Sequence, residues 1–232
     1  MEIYSAFSHI LKNPLVGASG YIDYLFKGYA GPLSEKQADP LGRAKDAIVQ
    51  LQNVVDIWMD LLAFDLGLIH PHREALNLNA EMARWMREIR LWVSGEGRTL
   101  SWHSRTAPLW VLLDSKWIRT ALREILSNAV RSSPRRSRIH VRWTRSGKKA
   151  VIQIEDEGPG VPLNGLEWIF QPLTQLRRPE GPPCGNRGGL GLALVRHIVQ
   201  AHHGSVRAAL RRRGGLRISL VLPLAEAKEI PR

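Results

Sequence analysis

Four stretches of the chain hold side chains able to do chemistry. FSHILKNPL, residues 7–15, sets His9, a ring nucleophile near neutral pH, one helical turn before Asn13. LREILSNAVRSSP, residues 122–134, puts Glu124 and Asn128 four apart on one helical face, with Arg131 a turn further. In IEDEGPGVP, residues 154–162, an apolar strand drops into Asp156 and two glycines, Gly158 and Gly160. GNRGGLGLALVRHIVQAHHG, residues 185–204, runs Gly188, Gly189, Leu190, Gly191 and Leu192 straight into a helix. Glycines ahead of a helix let the backbone approach a phosphate, and the helix N-terminus adds N–H donors and positive potential.

The elements that must carry these residues can be read from periodicity. Phe7, Leu11, Pro14, Ala18, Ile22 and Leu25 recur at helical spacing and form an apolar stripe. At about 100° per residue, His9 points away from that stripe and shares an outward face with Asn13. Ile10 lies about 80° from the stripe's centre, at its edge. Pro14 removes the N–H that would bond the Ile10 carbonyl and loosens the helix there. Gly28 and Gly31-Pro32 end this helix, and Ser34, or Asp39 followed by Pro40, can cap a second. In that second helix Leu41, Ala44, Ile48, Leu51, Val55, Trp58 and Leu62 form a heptad seam. A hairpin of two such helices cannot bury both seams alone, which predicts a homodimer with a four-helix bundle.

The expected organisation is therefore an all-α hairpin domain over 1–68, a linker over 69–79 and an α/β domain over 80–232. The last should hold helices near 80–94, 115–132 and 190–202. Its strands should fall near 109–113, 138–144, 149–155, 205–210 and 216–222, layered as an α/β sandwich. Trp85, Trp92, Trp102, Trp110, Trp117, Trp143 and Trp168 are expected as packing residues.

Composition sets the outer limits. With 232 residues and 44% hydrophobic content the chain can build a substantial core. No uninterrupted apolar run reaches the roughly 18 to 20 residues of a membrane span, so the chain reads as soluble and cytoplasmic. Its single cysteine, Cys184, excludes an internal disulfide and a thiolate zinc site. A net charge of +12 implies an acidic partner or phosphate ligand. Acid-free basic runs at 131–154 and 207–217 lack aromatic interleaving and any helix-turn-helix or zinc-finger spacing, so no specific nucleic acid is expected. They keep nucleic-acid binding open as an alternative.

Two glycine motifs are absent: there is no GxxxxGK[ST], and GGLGL lacks the βαβ setting of a dinucleotide fold. In their order and spacing, however, the LREILSNAV, IEDEGPG and RGGLGL stretches resemble the N, G1 and G2 boxes of the sensor histidine kinases of two-component systems. IFQPL, residues 169–173, is similar to the F box, and FSHILKNPL followed by GYIDYL to the H box. The resemblance implies a dimerisation and phosphoacceptor hairpin followed by a Bergerat-fold ATP-binding domain. It implies phosphoryl transfer from ATP to His9 and then to an aspartate on a response regulator receiver domain. On this resemblance Asn128 holds Mg²⁺, Glu124 orders a metal-bound water, and Arg131 stands where a lysine is usual. Asp156 accepts from the adenine amino group, with room left by Gly158 and Gly160. Residues 170–188 match the lid, and Gly188, Gly189, Leu190, Gly191 and Leu192 the phosphate side. Asn13 matches a polar position used in dephosphorylating the receiver. Sensor, signalling helix and any membrane anchor would lie outside these residues or in another chain.

Two departures stand out. Ile10 occupies the place of the acid that usually follows the histidine, and Arg187 that of the first G2 glycine. Loss of general-base assistance at Ile10 implies a rate lower by about 10² to 10⁴. It also leaves a second reading open: a pseudokinase acting as a dimeric ATP-binding signalling scaffold.

Overall fold

The computed structural model of the chain describes residues 2–104, 107–174 and 189–230. It divides into two compact units, Met1–Leu68 and Ile69–Arg232. The first is a hairpin of α1 (Glu2–Phe26) and α2 (Glu35–Asp65). Lys12 reaches Asp56 at 2.6 Å and Lys45 reaches Asp23 at 2.5 Å, so both ion pairs report the same antiparallel register. α2 begins at Ser34, whose N–H donates to the Gln37 side chain at 3.0 Å, and not at Asp39. Pro40 therefore falls inside the helix, where it removes a single bond in an exposed early turn.

In the single chain part of the expected α2 seam lies in solvent. Leu51 and Trp58, expected in the α2 seam, are 49% and 44% exposed, and Ile10 is 67% exposed rather than packed at a stripe edge. Buried positions in α2 are Ile57, Met59, Leu61 and Ala63. A two-helix hairpin has one internal contact face, so an apolar stripe turned away from it stays in solvent within a single chain. By length and composition α2 is also apolar enough to cross a membrane, although charged residues interrupt its apolar run. Asp56 and Asp60 lie within its apolar half.

The second unit is an α/β layer structure. A five-stranded sheet in the order β2 (Thr99–Ser104), β4 (Arg138–Ser146), β5 (Lys149–Glu155), β7 (Leu216–Pro223), β6 (Ser205–Leu210) pairs β2 with β4 in parallel and the rest antiparallel. One side of it buries Ile139, Val141, Trp143, Ile152, Ile154, Ile218 and Leu220. Facing them are α3 (Leu78–Gly95), α4 (Ser115–Ser132) and α5 (Gly191–Ala201), whose apolar stripes include Met82 and Trp85, Ile118, Leu122 and Ile125, and Leu194 and Ile198. Asn77 caps α3 and Asp114 caps α4, each accepting from two first-turn N–H groups.

Two strands go beyond the expected set. β1 (Glu74–Asn77) pairs antiparallel with β3 (Trp110–Leu113), so the stretch expected as a linker to residue 79 ends in a strand and the start of α3. β2 joins the main sheet only through a parallel partner some 40 residues on, a contact no local pattern announces. Trp85 and Trp143 lie in the core as expected, whereas Trp168 is 60% exposed.

The basic charge belongs to this second unit, which holds 28 Lys and Arg against 13 Asp and Glu; the hairpin unit holds 5 against 8. The basic runs converge there. Alternation along the strands puts Arg142 and Arg217 on the face of the sheet away from the helices, around Glu155 of β5.

His202, fully buried just past α5, ties the helical layer together. Its Nε2 accepts from the Asp114 N–H at 2.9 Å, and its Nδ1 lies 2.7 Å from the Ile198 carbonyl, a pattern only the neutral ring satisfies. Burial, the main cause, pushes its pKa below the ordinary histidine value. The folded chain therefore resists taking up a proton that the unfolded chain accepts. Stability conferred by this residue should be complete above about pH 6.5 and fall, by up to about 1.4 kcal/mol per pH unit, as pH drops through the lowered folded value. Urea unfolding of wild type and His202→Gln between about pH 8 and 5 checks this; parallel curves would refute it.

Candidate nucleotide site

Glu124 and Asn128 stand one turn apart on α4, which packs against α5. Glu124 is buried at 3% exposure, Asn128 is half-buried and Arg131 is exposed. A Cβ on Gly191 would sit 2.6 Å from Glu124 Oε2, so a larger residue there would have to push the carboxylate aside from the first turn of α5. Negative charge from Glu124 thus meets the positive end of α5. Arg131 Nη1 donates to Ser127 Oγ at 2.9 Å, which holds the guanidinium along the helix.

Asp156 lies at the end of β5, 6% exposed. Its Oδ1 accepts two backbone bonds, from Gly158 N at 2.8 Å and Leu216 N at 3.2 Å. The described hydrogen bonds thus converge on one oxygen, and Oδ2 is the oxygen suited to a ligand's donor. Burial is the chief cause that raises the Asp156 pKa; the two N–H groups and the Arg211 guanidinium oppose it. Gly158 is also constrained, since a Cβ there would meet Ser132 O and Asp156 Oδ1 at 3.0 Å. Gly160, at φ 71°, would carry its Cβ to 2.9 Å from Leu210 Cδ2.

Gly189, at φ 69°, lies beside Thr174: a Cβ on it would be 2.5 Å from the Thr174 carbonyl oxygen. The two residues that bracket 175–188 therefore meet. Leu190 is buried at the start of α5 and Leu192 is half-buried on its first turn. Gly188, Arg187, Cys184 and most of the 170–188 stretch lie outside the described residues.

The site thus unites α4, the β5 turn and the α5 N-terminus: a carboxylate able to take a donor from a heterocycle, glycines leaving space, and a helix start suited to phosphate. Its residues fit a nucleotide, and the Asn128 side-chain oxygen fits a hard cation such as Mg²⁺. His9 and Asn13 are exposed on α1, in the other unit. Sequence reasoning missed Leu216, whose N–H helps orient Asp156, and the hairpin tip before it. The glycine pair Gly214-Gly215 is the available signal, but in the sequence it stands only as part of a basic run.

Comparison with known proteins agrees with this geometry. The model of the family described as histidine kinase-, DNA gyrase B-, and HSP90-like ATPase matches residues 113–226. The circadian input-output histidine kinase CikA of Synechococcus elongatus is 28% identical over 216 residues, covering 89% of this chain and 28% of the relative. The alginate biosynthesis sensor protein KinB of Pseudomonas aeruginosa is 25% identical over 219 residues, covering 94% of this chain and 36% of the relative. The chain therefore spans about a third of the length of these relatives. Among solved structures, full-length ShkA in complex with AMPPNP superposes with a TM-score of 0.79 at 18% identity, covering 97% of this chain and 46% of that one. The Acinetobacter baumannii histidine kinase AdeS gives 0.63 at 18% identity, covering 94% and 98%, so the fold is shared. Residues 113–226 thus match the histidine kinase-, DNA gyrase B-, and HSP90-like ATPase domain, and over most of its length the chain is similar to a histidine kinase and a sensor protein.

Proposed function

We propose that the chain is the catalytic core of a homodimeric sensor histidine kinase, which transfers the γ-phosphoryl group of ATP to His9 and then to an aspartate of a response regulator receiver domain. The observation that carries it is the buried Asp156 carboxylate, held through Oδ1 by two N–H groups and suited through Oδ2 to the adenine amino group. Relatives with this domain are sensor kinases, and the ShkA structure holds AMPPNP.

In the reaction a ring nitrogen of His9 forms a bond to the γ-phosphorus, the bond to the β,γ-bridging oxygen breaks, and ADP leaves. The displaced proton passes from the other ring nitrogen to solvent. Such a loose transfer asks mainly for alignment and charge neutralisation. Asp156 selects and orients the base. Asn128 would hold the Mg²⁺ that accompanies ATP, which neutralises phosphate charge. Glu124 would order a metal-bound water, and Gly189, Leu190, Gly191 and Leu192 bring backbone N–H groups to the phosphates. His9 and Asn13, both exposed and four apart on α1, suit contact with an outside domain.

Dimerisation would cover the apolar residues that the hairpin alone leaves in solvent, among them Val16, Tyr21, Leu51 and Trp58. Localisation of the active core in the cytoplasm belongs to the same proposal.

The test is labelling with radioactive ATP. Wild type should acquire acid-labile phosphate that His9→Ala lacks altogether. Label that persists on His9→Ala would remove the acceptor assignment. ATP binding with no label on wild type would favour the signalling scaffold.

A further inference from the structure

We infer that Arg211 is a positioning residue for nucleotide recognition: it fastens the β6–β7 hairpin to the Asp156 turn and so fixes the carboxylate that receives the base. This rests on the ATP-site reading above and adds to it an element, the hairpin tip RRRGG (211–215), with no part in the recognised boxes.

The tip is locked onto the turn from several directions. Arg211 Nη1 donates to the main-chain oxygen of Asp156, and its Nε lies 3.2 Å from Glu155 Oε2. Leu216, directly after the tip, exchanges bonds with Asp156: its oxygen accepts from Asp156 N at 3.0 Å, and its N–H donates to Oδ1 at 3.2 Å. Within the tip, Arg211 N donates to Gly215 O and Gly214 N to Arg211 O, both at 3.1 Å. Gly215, at φ 93°, lies so close that a Cβ would fall 2.0 Å from Asp156 O. Leu210, next to Arg211 in the chain, lies beside Gly160, where a Cβ would fall 2.9 Å from Leu210 Cδ2. The hairpin therefore touches both halves of the Asp156–Gly160 turn.

Arginine suits the role because one fork reaches two acceptors on adjacent residues, a main-chain oxygen and a carboxylate, where lysine offers a single point charge. Its charge also has a target. Asp156 is flanked in the chain by Glu155 and Glu157. Glu155 is engaged by Arg217 at 2.6 Å and more distantly by Arg142 at 3.9 Å, and Glu157 accepts from the Arg138 N–H. Arg211 is the cation that opposes the burial of Asp156 itself. Without it the hairpin tip loses its side-chain anchor and Asp156 is more readily protonated, a form less able to accept the amino group of the base.

The experiment uses the full chain. Mg-ATP affinity is measured by calorimetry between about pH 5 and 8 for wild type, Arg211→Ala and Arg211→Lys, and the Asp156 carboxyl is titrated by ¹³C NMR without nucleotide. Arg211→Ala should bind ATP about 10-fold more weakly at pH 7. Both its affinity midpoint and its Asp156 titration should move to higher pH, and Arg211→Lys should restore the titration more than the affinity. A residue serving only the fold would lower Tm and leave the titration in place, and that result overturns the inference. Absence of ATP binding by wild type would sink the ATP-site reading itself. Wild-type binding with an affinity and titration indifferent to Arg211 sinks the positioning role alone.

Discussion

Asp156→Asn is expected to weaken ATP binding by about 10- to 150-fold, the worth of a hydrogen bond to a charged, buried acceptor. The variant is chosen because its side chain keeps the shape. An asparagine Oδ1 can still accept from Gly158 N and Leu216 N, so the turn at the end of β5 persists. What changes is the other terminus, where an NH₂ group now meets the amino group of adenine, donor against donor. Removal of a charge that burial disfavours should leave Tm unchanged or raise it, which separates a binding defect from a folding one. Guanine carries an acceptor at the same place, so discrimination against GTP should weaken in the same variant. Calorimetry with both nucleotides checks the pair of outcomes. Undiminished ATP affinity would mean that Asp156 does not read the base.

Ile10→Glu is expected to raise the rate of His9 labelling by about 10² to 10⁴. Transfer to histidine leaves positive charge on the ring, and a carboxylate next in sequence can take the proton of the other ring nitrogen or hold the ring in place. Ile10 is 67% exposed on α1, so the exchange disturbs no packing and should shift stability by no more than about 0.5 kcal/mol. Pro14 stays, and with it the missing backbone bond to residue 10. Time courses of acid-labile label on wild type and variant, at equal ATP occupancy, measure the effect. Equal rates would show that transfer is limited elsewhere and that the isoleucine is no handicap.

Much of this site is legible in the sequence. Glu124 and Asn128 fall on one face because α4 has a sustained helical period, and helices of this length are announced by local spacing. β4, β5 and β7 are equally plain, since alternate residues face a buried layer and the pattern repeats every second position. Asp156, Gly158 and Gly160 are visible because a polar and glycine-rich turn interrupts an apolar run. β1 and β2 escape for the opposite reason: each is short, and each exists through a partner distant in sequence. The α2 seam is a different case. Heptad spacing identifies a continuous stripe, but which part of a stripe is covered depends on what lies against it, and Leu51 and Trp58 face solvent in the single chain.

By itself, then, the sequence determined the order of the elements, the identity of the reactive side chains and the family they resemble, because these depend on local period and on residue type. Only the tertiary structure decided that the Asp156 carboxylate is oriented by Leu216 from 60 residues away, that Glu124 abuts Gly191, and that Arg211 clamps the turn. Each of those contacts is a pairing between segments remote along the chain. Their geometry is set by how strands and helices pack, which no local pattern encodes.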